Sequence, residues 1–431
     1  MSAVTDADVV VVGAGIVGSA TAYYLSRRGV RVVVVERGAT CGEQSRKNWG
    51  FVRQQGRDPH EVPLMMESNR IWRGLEQELH ADLEWVQGGN LALAADPARM
   101  ALFEEWLAVA RQFGLDTRVL RPRDLPGVVP ELGGQWAGGM HTPSDGHADP
   151  GKSTDALARA ATAHGATIHL GCAVETVVTR GSAVSAVITE RGEIRTSWVV
   201  CAAGAWSSRL ARTLGVSLPQ RWVRGTVART TPAPPVTACA VWGPGVAFRQ
   251  RKDGTFNIAA GGALDHDVTL DSLRQIRFFL PNYWKNKALF RFHVGRPLTR
   301  SLAAALPGST ARRHPLIWDR GIDPRPNPAK IARGLAELQR VLPSLPRLGV
   351  AERWAGYIDA TPDLTPVLGP VPALKGFVFA TGFSGHGFAM GPVAGRLVSE
   401  LIVDGKPSLD ISAFRFSRFA EGAVGTPRNV L

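Results

Sequence analysis

The sequence predicts an α/β protein of two domains, the first assembled from separated stretches of chain and the second a mixed-sheet α+β unit carried between them. Three observations lead there. Val9-Val10-Val11-Val12 runs into Gly13-Ala14-Gly15-Ile16-Val17-Gly18 and then an apolar helix, a strand–turn–helix opening. The same α/β texture returns over 145–215 and again beyond 350. Between 221 and 347 it gives way to short strands and a stretch rich in proline, arginine and aromatic residues. A length of 431 residues suits two or three domains. The predicted boundaries are 1–80, 145–215 and 350–431 for the discontinuous domain, and 81–144 with 216–349 for the other.

The elements follow in order. Val9–Val12 is a buried parallel strand, Ser19 to Arg28 a helix stopped by Gly29, and Arg31 to Glu36 a second strand closed by an acid. The third strand of this βαβ opening is expected later in the sequence. Apolar residues recur at helical spacing from Val62 to Leu79, and Ala98 to Phe113 reads as a further helix. A helix from Lys152 to His164 leads into strands at Thr167–Leu170, Ala173–Thr179, Ala183–Thr189 and Trp198–Cys201. Gly204 and Trp206 open a helix that ends before Gly215. Val246–Arg251 and Thr255–Ala260 are short strands. A strand at Gly376–Ala380, a glycine-rich turn and a helix from Phe388 to Val403 complete the chain.

The opening turn carries chemistry. Gly13 allows a sharp bend, Gly15 lets backbone approach a pyrophosphate, and Gly18 permits close packing of helix on strand. The helix N-terminus offers unpaired N–H groups to phosphates. Glu36, 18 residues after Gly18, can accept both ribose hydroxyls and would repel a 2′-phosphate. NAD and FAD share this fingerprint. A second glycine-rich element, Thr381-Gly382-Phe383-Ser384-Gly385-His386-Gly387-Phe388, also leads into a helix, whose N-terminus would stabilise negative charge on a reduced isoalloxazine. Gly146 to Ser153 spells GxxxxGKS, but turn material precedes it where a phosphate-binding loop needs a buried strand, so the match reads as coincidence.

Four blocks together resemble the D-amino-acid-oxidase-type flavoenzymes, which include glycine oxidase, sarcosine oxidase and D-amino acid dehydrogenase. They are Gly13–Glu36, the loop Ser45–Phe51, the run Val199–Ser207 and Gly382–Phe388, in order along nearly the whole chain. The run Gln44 to Pro59 is similar to the bacterial membrane-linked L-amino acid deaminases of that family. The resemblance implies a Rossmann-type FAD-binding domain in three pieces and oxidation of a carbon–nitrogen bond. It carries FAD contacts onto Gly13, Gly15, Gly18, Glu36, Arg37, Ser45, Arg46, Val174, Gly204, Gly382, Gly385 and Gly387. Sarcosine oxidases hold flavin on a cysteine shortly before Thr-Pro-Asp. Thr361-Pro362-Asp363 here has no such cysteine, which implies non-covalent FAD.

Flavin oxidation of an amine needs positioning and exclusion of water more than acid–base machinery. An α-carboxylate is best gripped by arginine, whose guanidinium presents parallel donors. The resemblance points to Arg53 and, on the predicted strand Val246–Arg251, to Arg249; a solvated surface charge is the alternative for each. Gln55 is expected to orient the substrate and Trp354 to wall the flavin, with a core role the alternative for Trp354. His386, flanked by glycines, reads as structural rather than as a base. The leading expectation is oxidative deamination of an α-amino acid. Oxidation of a secondary amine or imino acid, and a flavin subunit passing electrons within a complex, are alternatives. Asn257 and Ala389 stand where sarcosine-type oxidases place lysines that favour oxygen, which points toward a quinone or other acceptor rather than oxygen, with Lys252 the residue that could compensate.

Composition bounds the rest. The four cysteines form neither a disulfide framework nor a metal site, and no apolar run approaches the roughly 20 residues of a membrane span. The chain is therefore expected in the cytoplasm. Of the net charge of +13, the excess sits between Arg209 and Arg353, with 24 Lys/Arg against 8 Asp/Glu. Those charges are scattered and accompany no nucleic-acid motif, so an anionic substrate, partner or membrane surface is expected instead. Over 274–292, Ile276, Phe278, Phe279, Leu280, Tyr283, Trp284, Leu289, Phe290 and Phe292 alternate with Arg274, Arg277, Lys285, Lys287 and Arg291, a mixture suited to peripheral docking or to a core helix with snorkelling cations.

Overall fold

The computed structural model of the chain describes residues 5–262, 264–287, 290–425 and 427. Val9–Val12 pairs in parallel with Val32–Val35 on one side and with Trp198–Cys201 on the other. Thr167–His169 extends the sheet beyond Val32–Val35, and Leu374–Thr381 extends it beyond Trp198–Cys201, again in parallel. The third strand of the βαβ opening is thus Trp198–Cys201. Val9–Val12, Val32–Val35 and Trp198–Cys201 read as unbroken apolar runs because both faces are covered. Val9 and Val11 face one core with the helices Ile16–Ser26, Val62–Leu79, Pro150–Ala163 and Gly387–Val403, while Val10 and Val12 face another around Trp206, Leu210 and Phe377. Trp72 is wholly buried in the first core, its indole N–H donating to the Ala389 carbonyl at 2.9 Å.

The second sheet is mixed and runs in the order Phe290–His293, Leu264–Asp267, Arg221–Thr230, Phe256–Ala260, Val246–Gln250, Ala240–Trp242, Asn90–Ala94, Gly138–Thr142 and Arg118–Leu120. Helix Pro328–Val341 covers it through Ile331, Leu338 and Val341, which pack on Phe248 and Ile258. Val350–Ala360 pairs along the length of Arg221–Thr230, so a boundary at residue 350 assigns a strand of this second sheet to the first domain. The strand then delivers the chain at Thr361 to the first sheet, which is why both sheets meet along one wall.

Gly146–His147 is a two-residue strand against Phe51–Val52, and Lys152 points outward to Asp82 and Glu84, as expected of a coincidental GKS match. In the 274–292 stretch, Phe279 is buried, whereas Ile276, Leu280, Trp284 and Phe292 are exposed. Leu289 and the side chain of Lys285 lie outside the described residues. Among the described residues no helix is long and apolar enough to cross a membrane. All four cysteines are buried and free.

Candidate active site

The carboxyl ends of the parallel strands converge on one cavity of about 590 Å³, the position where open α/β sheets receive ligands. Gly13 turns the chain at φ +105°, and a Cβ there would stand 2.6 Å from the Ala202 carbonyl oxygen. Gly18 packs so tightly that a Cβ would overlap the Gly13 carbonyl. Ser45 leans over the turn, its Oγ accepting the Ile16 N–H at 2.9 Å. Glu36 accepts the N–H groups of Ala14 at 2.9 Å and Gly38 at 2.8 Å; burial pushes its carboxyl up while those two donors draw it down. Arg37 lies over the Trp206 ring at 3.8 Å and pairs with Glu43 at 3.1 Å, yet its Nη1 is buried without a partner. A buried guanidinium N–H left open beside a glycine turn calls for a polar ligand.

The same cavity continues to a second end walled by both sheets. Trp49, Phe51 and Trp242 form an aromatic group with ring centroids 5.7 and 4.9 Å from Trp49. Arg53 sits over the Trp242 ring at 5.1 Å. Arg57 and Arg99 line this end as well, and among the described residues none of the three arginines has a carboxylate within ion-pair distance. Arg57 is 3% exposed; its Nε donates to the Arg53 carbonyl at 3.1 Å and its Nη1 has no partner. Burial, then the neighbouring Arg53 charge, pushes Arg57 down to about 9. His386 caps helix Gly387–Val403 at the same end.

Most of the expected residues meet here. Gly13, Gly15, Glu36, Arg37, Ser45, Val174, Gly204, Gly385 and Gly387 line the cavity together with Arg53. Gly18 and Gly382 stand one layer behind, Gly382 donating its N–H to Asp359 at 2.8 Å. Arg46 does not reach the wall; it turns outward to Asp155 at 3.3 Å. Gln55 is a core residue. Its Nε2 donates to the carbonyls of Asn90 and Met140, each at 3.0 Å, and its Oε1 accepts from Asn90 Nδ2 at 2.7 Å. Arg249 is wholly buried and is not among the residues lining the cavity; its Nε donates to the Trp49 carbonyl at 2.6 Å, and its Nη2 is buried without a partner. Trp354 likewise braces the loop from behind, donating to the Lys47 carbonyl at 3.0 Å. Asn257 and Ala389 are off the wall, and Lys252 reaches Asp82 at 3.2 Å on the outside. Arg57, Arg99, Trp49 and Trp242 were not singled out from sequence; the Arg53–Arg57 spacing within one polar loop was the available signal for the first of them.

A dinucleotide cradle opening into an arginine- and aromatic-lined chamber between two sheets is the layout of a nucleotide-dependent enzyme. Residues 8–401 match the family DAO, FAD dependent oxidoreductase, and the chain belongs to that family. It is 27% identical over 433 residues to sarcosine dehydrogenase, mitochondrial, of Mus musculus, covering 96% of this chain and 41% of that protein. The chain therefore spans about two fifths of the length of that relative. Among solved structures it is similar to L-amino acid deaminase from Proteus vulgaris, with a TM-score of 0.90, 26% identity, and 96% and 97% of the two chains covered. It is also similar to L-proline dehydrogenase from P. horikoshii, with a TM-score of 0.80, 25% identity, and 99% and 100% covered. FAD is the cofactor of the family, and the residues present fit it: Glu36 for ribose, the Gly13–Gly18 turn for pyrophosphate, and Arg37 with its open Nη1 beside them.

Proposed function

We propose that this chain carries out FAD-dependent oxidative deamination of an α-amino acid. The observation that carries the reading is the pair Arg53 and Arg57, two guanidiniums without carboxylate partners facing the cavity that the nucleotide cradle opens into. A substrate carboxylate would satisfy them with charge-assisted hydrogen bonds, while Trp49, Phe51 and Trp242 would hold an apolar side chain and exclude water. Bound FAD supplies the hydride acceptor; the chain orients the Cα–H bond, and the resulting imine hydrolyses to keto acid and ammonia. The likeness to sarcosine and L-proline dehydrogenases favours secondary amines as the second reading. Anaerobic mixing with amino acids of both configurations, sarcosine and proline separates the two by which of them bleaches the flavin.

The acceptor reading is a quinone or similar carrier rather than oxygen. The lysines on the cavity wall, Lys47 and Lys330, are paired with Asp323 and Asp265, each at 2.8 Å, which neutralises the charge that would favour superoxide. Stopped-flow mixing of reduced enzyme with oxygen tests it: reoxidation as fast as turnover contradicts this reading.

A further inference from the structure

An α-amino acid arrives as an ammonium ion, and a hydride leaves Cα only when the nitrogen lone pair is free. The cavity therefore needs somewhere to send a proton. His386 lines the cavity at the start of helix Gly387–Val403, with a side chain 14% exposed. Its Nδ1 lies 3.6 Å from Glu61 Oε1, and Glu61 is 2% exposed. Neither of those two atoms has a hydrogen-bond partner. With Nδ1 toward Glu61, the opposite ring nitrogen Nε2 is left on the far side of the ring. The charged groups facing the imidazole are Glu61 at the start of helix Val62–Leu79 and Arg57 and Arg53 from the loop before it. Its own helix adds the positive end of a backbone dipole.

We propose that His386, with the Glu61 carboxylate beside its Nδ1, is the base that takes the ammonium proton of the substrate. This rests on the amino acid reading given above. The proton moves from the ammonium nitrogen to His386 Nε2, and the imidazolium formed is paired by the Glu61 carboxylate. With its lone pair freed by His386, the nitrogen could form the C=N bond, and FAD, when bound, would supply the acceptor for the Cα hydrogen and its two electrons. Burial first, then Arg57, keeps the histidine neutral before substrate arrives, with Glu61 opposing. A substrate carboxylate set between Arg53 and Arg57 cancels the two charges that weaken the base, so binding itself strengthens it.

The test is the pH dependence of anaerobic flavin reduction in wild type, His386→Gln and Glu61→Gln, using the amino acid that bleaches the wild type fastest. FAD content is read from the absorption spectrum of each protein. In the wild type the rate is expected to rise at a pH well below the ammonium pKa of the free amino acid. In His386→Gln the rise should move to that ammonium pKa, with a loss of ~100-fold at pH 7 that closes toward pH 10. Glu61→Gln should lose ~10-fold with an intermediate profile, and imidazole in solution should restore part of the His386→Gln rate. If His386→Gln fails to retain FAD, Glu61→Gln carries the test alone. Three superimposable pH profiles overturn the proposal while leaving the amino acid reading intact. Failure of any amine to bleach the wild type overturns that reading first, and this proposal with it.

Discussion

Asp359 joins the two sheets at the cavity by accepting the Gly382 N–H on Oδ2 at 2.8 Å, while its Oδ1 accepts the Gln44 side-chain N–H at 3.0 Å. Gln44 in turn accepts the Ala205 N–H at 2.8 Å, so one carboxylate ties together three chain segments around the flavin site. Burial raises this carboxyl, and the two donors oppose it. Asp359→Ala leaves both donors buried without an acceptor. It is expected to cost about 2–5 kcal/mol, and to weaken FAD retention. Thermal unfolding with and without added FAD measures both effects. An unchanged Tm and an unchanged flavin content contradict this role.

Gly15→Val should yield a colourless protein. A Cβ at Gly15 would stand 2.9 Å from Ser45 Oγ, and the branched side chain would fill the approach to the pyrophosphate. In the wild type, acid precipitation should release all the flavin into the supernatant. Flavin retained in the pellet would mean a covalent link.

The nucleotide cradle was legible because its signals are local: four valines, a glycine turn and an acid lie within 28 residues, from Val9 to Glu36. The substrate end was not, because it is assembled from distant strands and loops whose side chains face different surroundings by turns. Arg221–Thr230 has no clean period, since one strand pairs with Val350–Ala360 and also lends Arg224, Thr226 and Val227 to the cavity. Arg249 lies on a strand beside the site, as expected, and Trp354 on a strand that was not anticipated, and both side chains turn to the rear of the Ser45–Phe51 loop. No sequence pattern announces which face of such a strand is the wet one. Glu61 and His386 are 325 residues apart and meet only in the fold.

Gln55→Leu should be a stability defect and not a binding defect. It strands the Asn90 side chain and leaves the Met140 carbonyl and Thr142 hydroxyl without their partner at 3.0 and 3.1 Å. About 2–4 kcal/mol is expected from these losses. Urea unfolding measures it, and the KM of the folded fraction should stay within about twofold; a KM rise of tenfold would put Gln55 in contact with substrate after all.

Acid should weaken the fold partly through His266. This ring is 2% exposed, with Nδ1 at 2.9 Å from the Trp222 carbonyl and Nε2 at 3.1 Å from Ser272 Oγ. Burial, then Arg221, pushes it from the ordinary 6.5 down to about 4. The folded value lies below the unfolded one, so the stabilisation is complete above 6.5 and lost as pH falls toward 4. The slope from this one group approaches ~1.4 kcal/mol per pH unit. Comparing Tm at pH 7.5 and 5.0, His266→Gln should lose less than the wild type. An equal or larger loss in the variant would remove His266 from the account.

We propose that Arg53 and Arg57 on the cavity wall, and not the buried Arg249, grip the carboxylate of an amine substrate whose C–N bond is oxidised. The most direct measurement is anaerobic reduction of the bound flavin by an amino acid and by the corresponding amine lacking the carboxylate, in wild type, Arg53→Ala and Arg57→Ala. The wild type should be bleached by the amino acid. Each variant should keep its FAD and lose about 2–3 kcal/mol of transition-state binding, roughly 30- to 150-fold in the second-order reduction rate, toward the amino acid alone. Wild-type flavin that bleaches equally with the decarboxylated amine, or variants that reduce as fast as wild type, would contradict it.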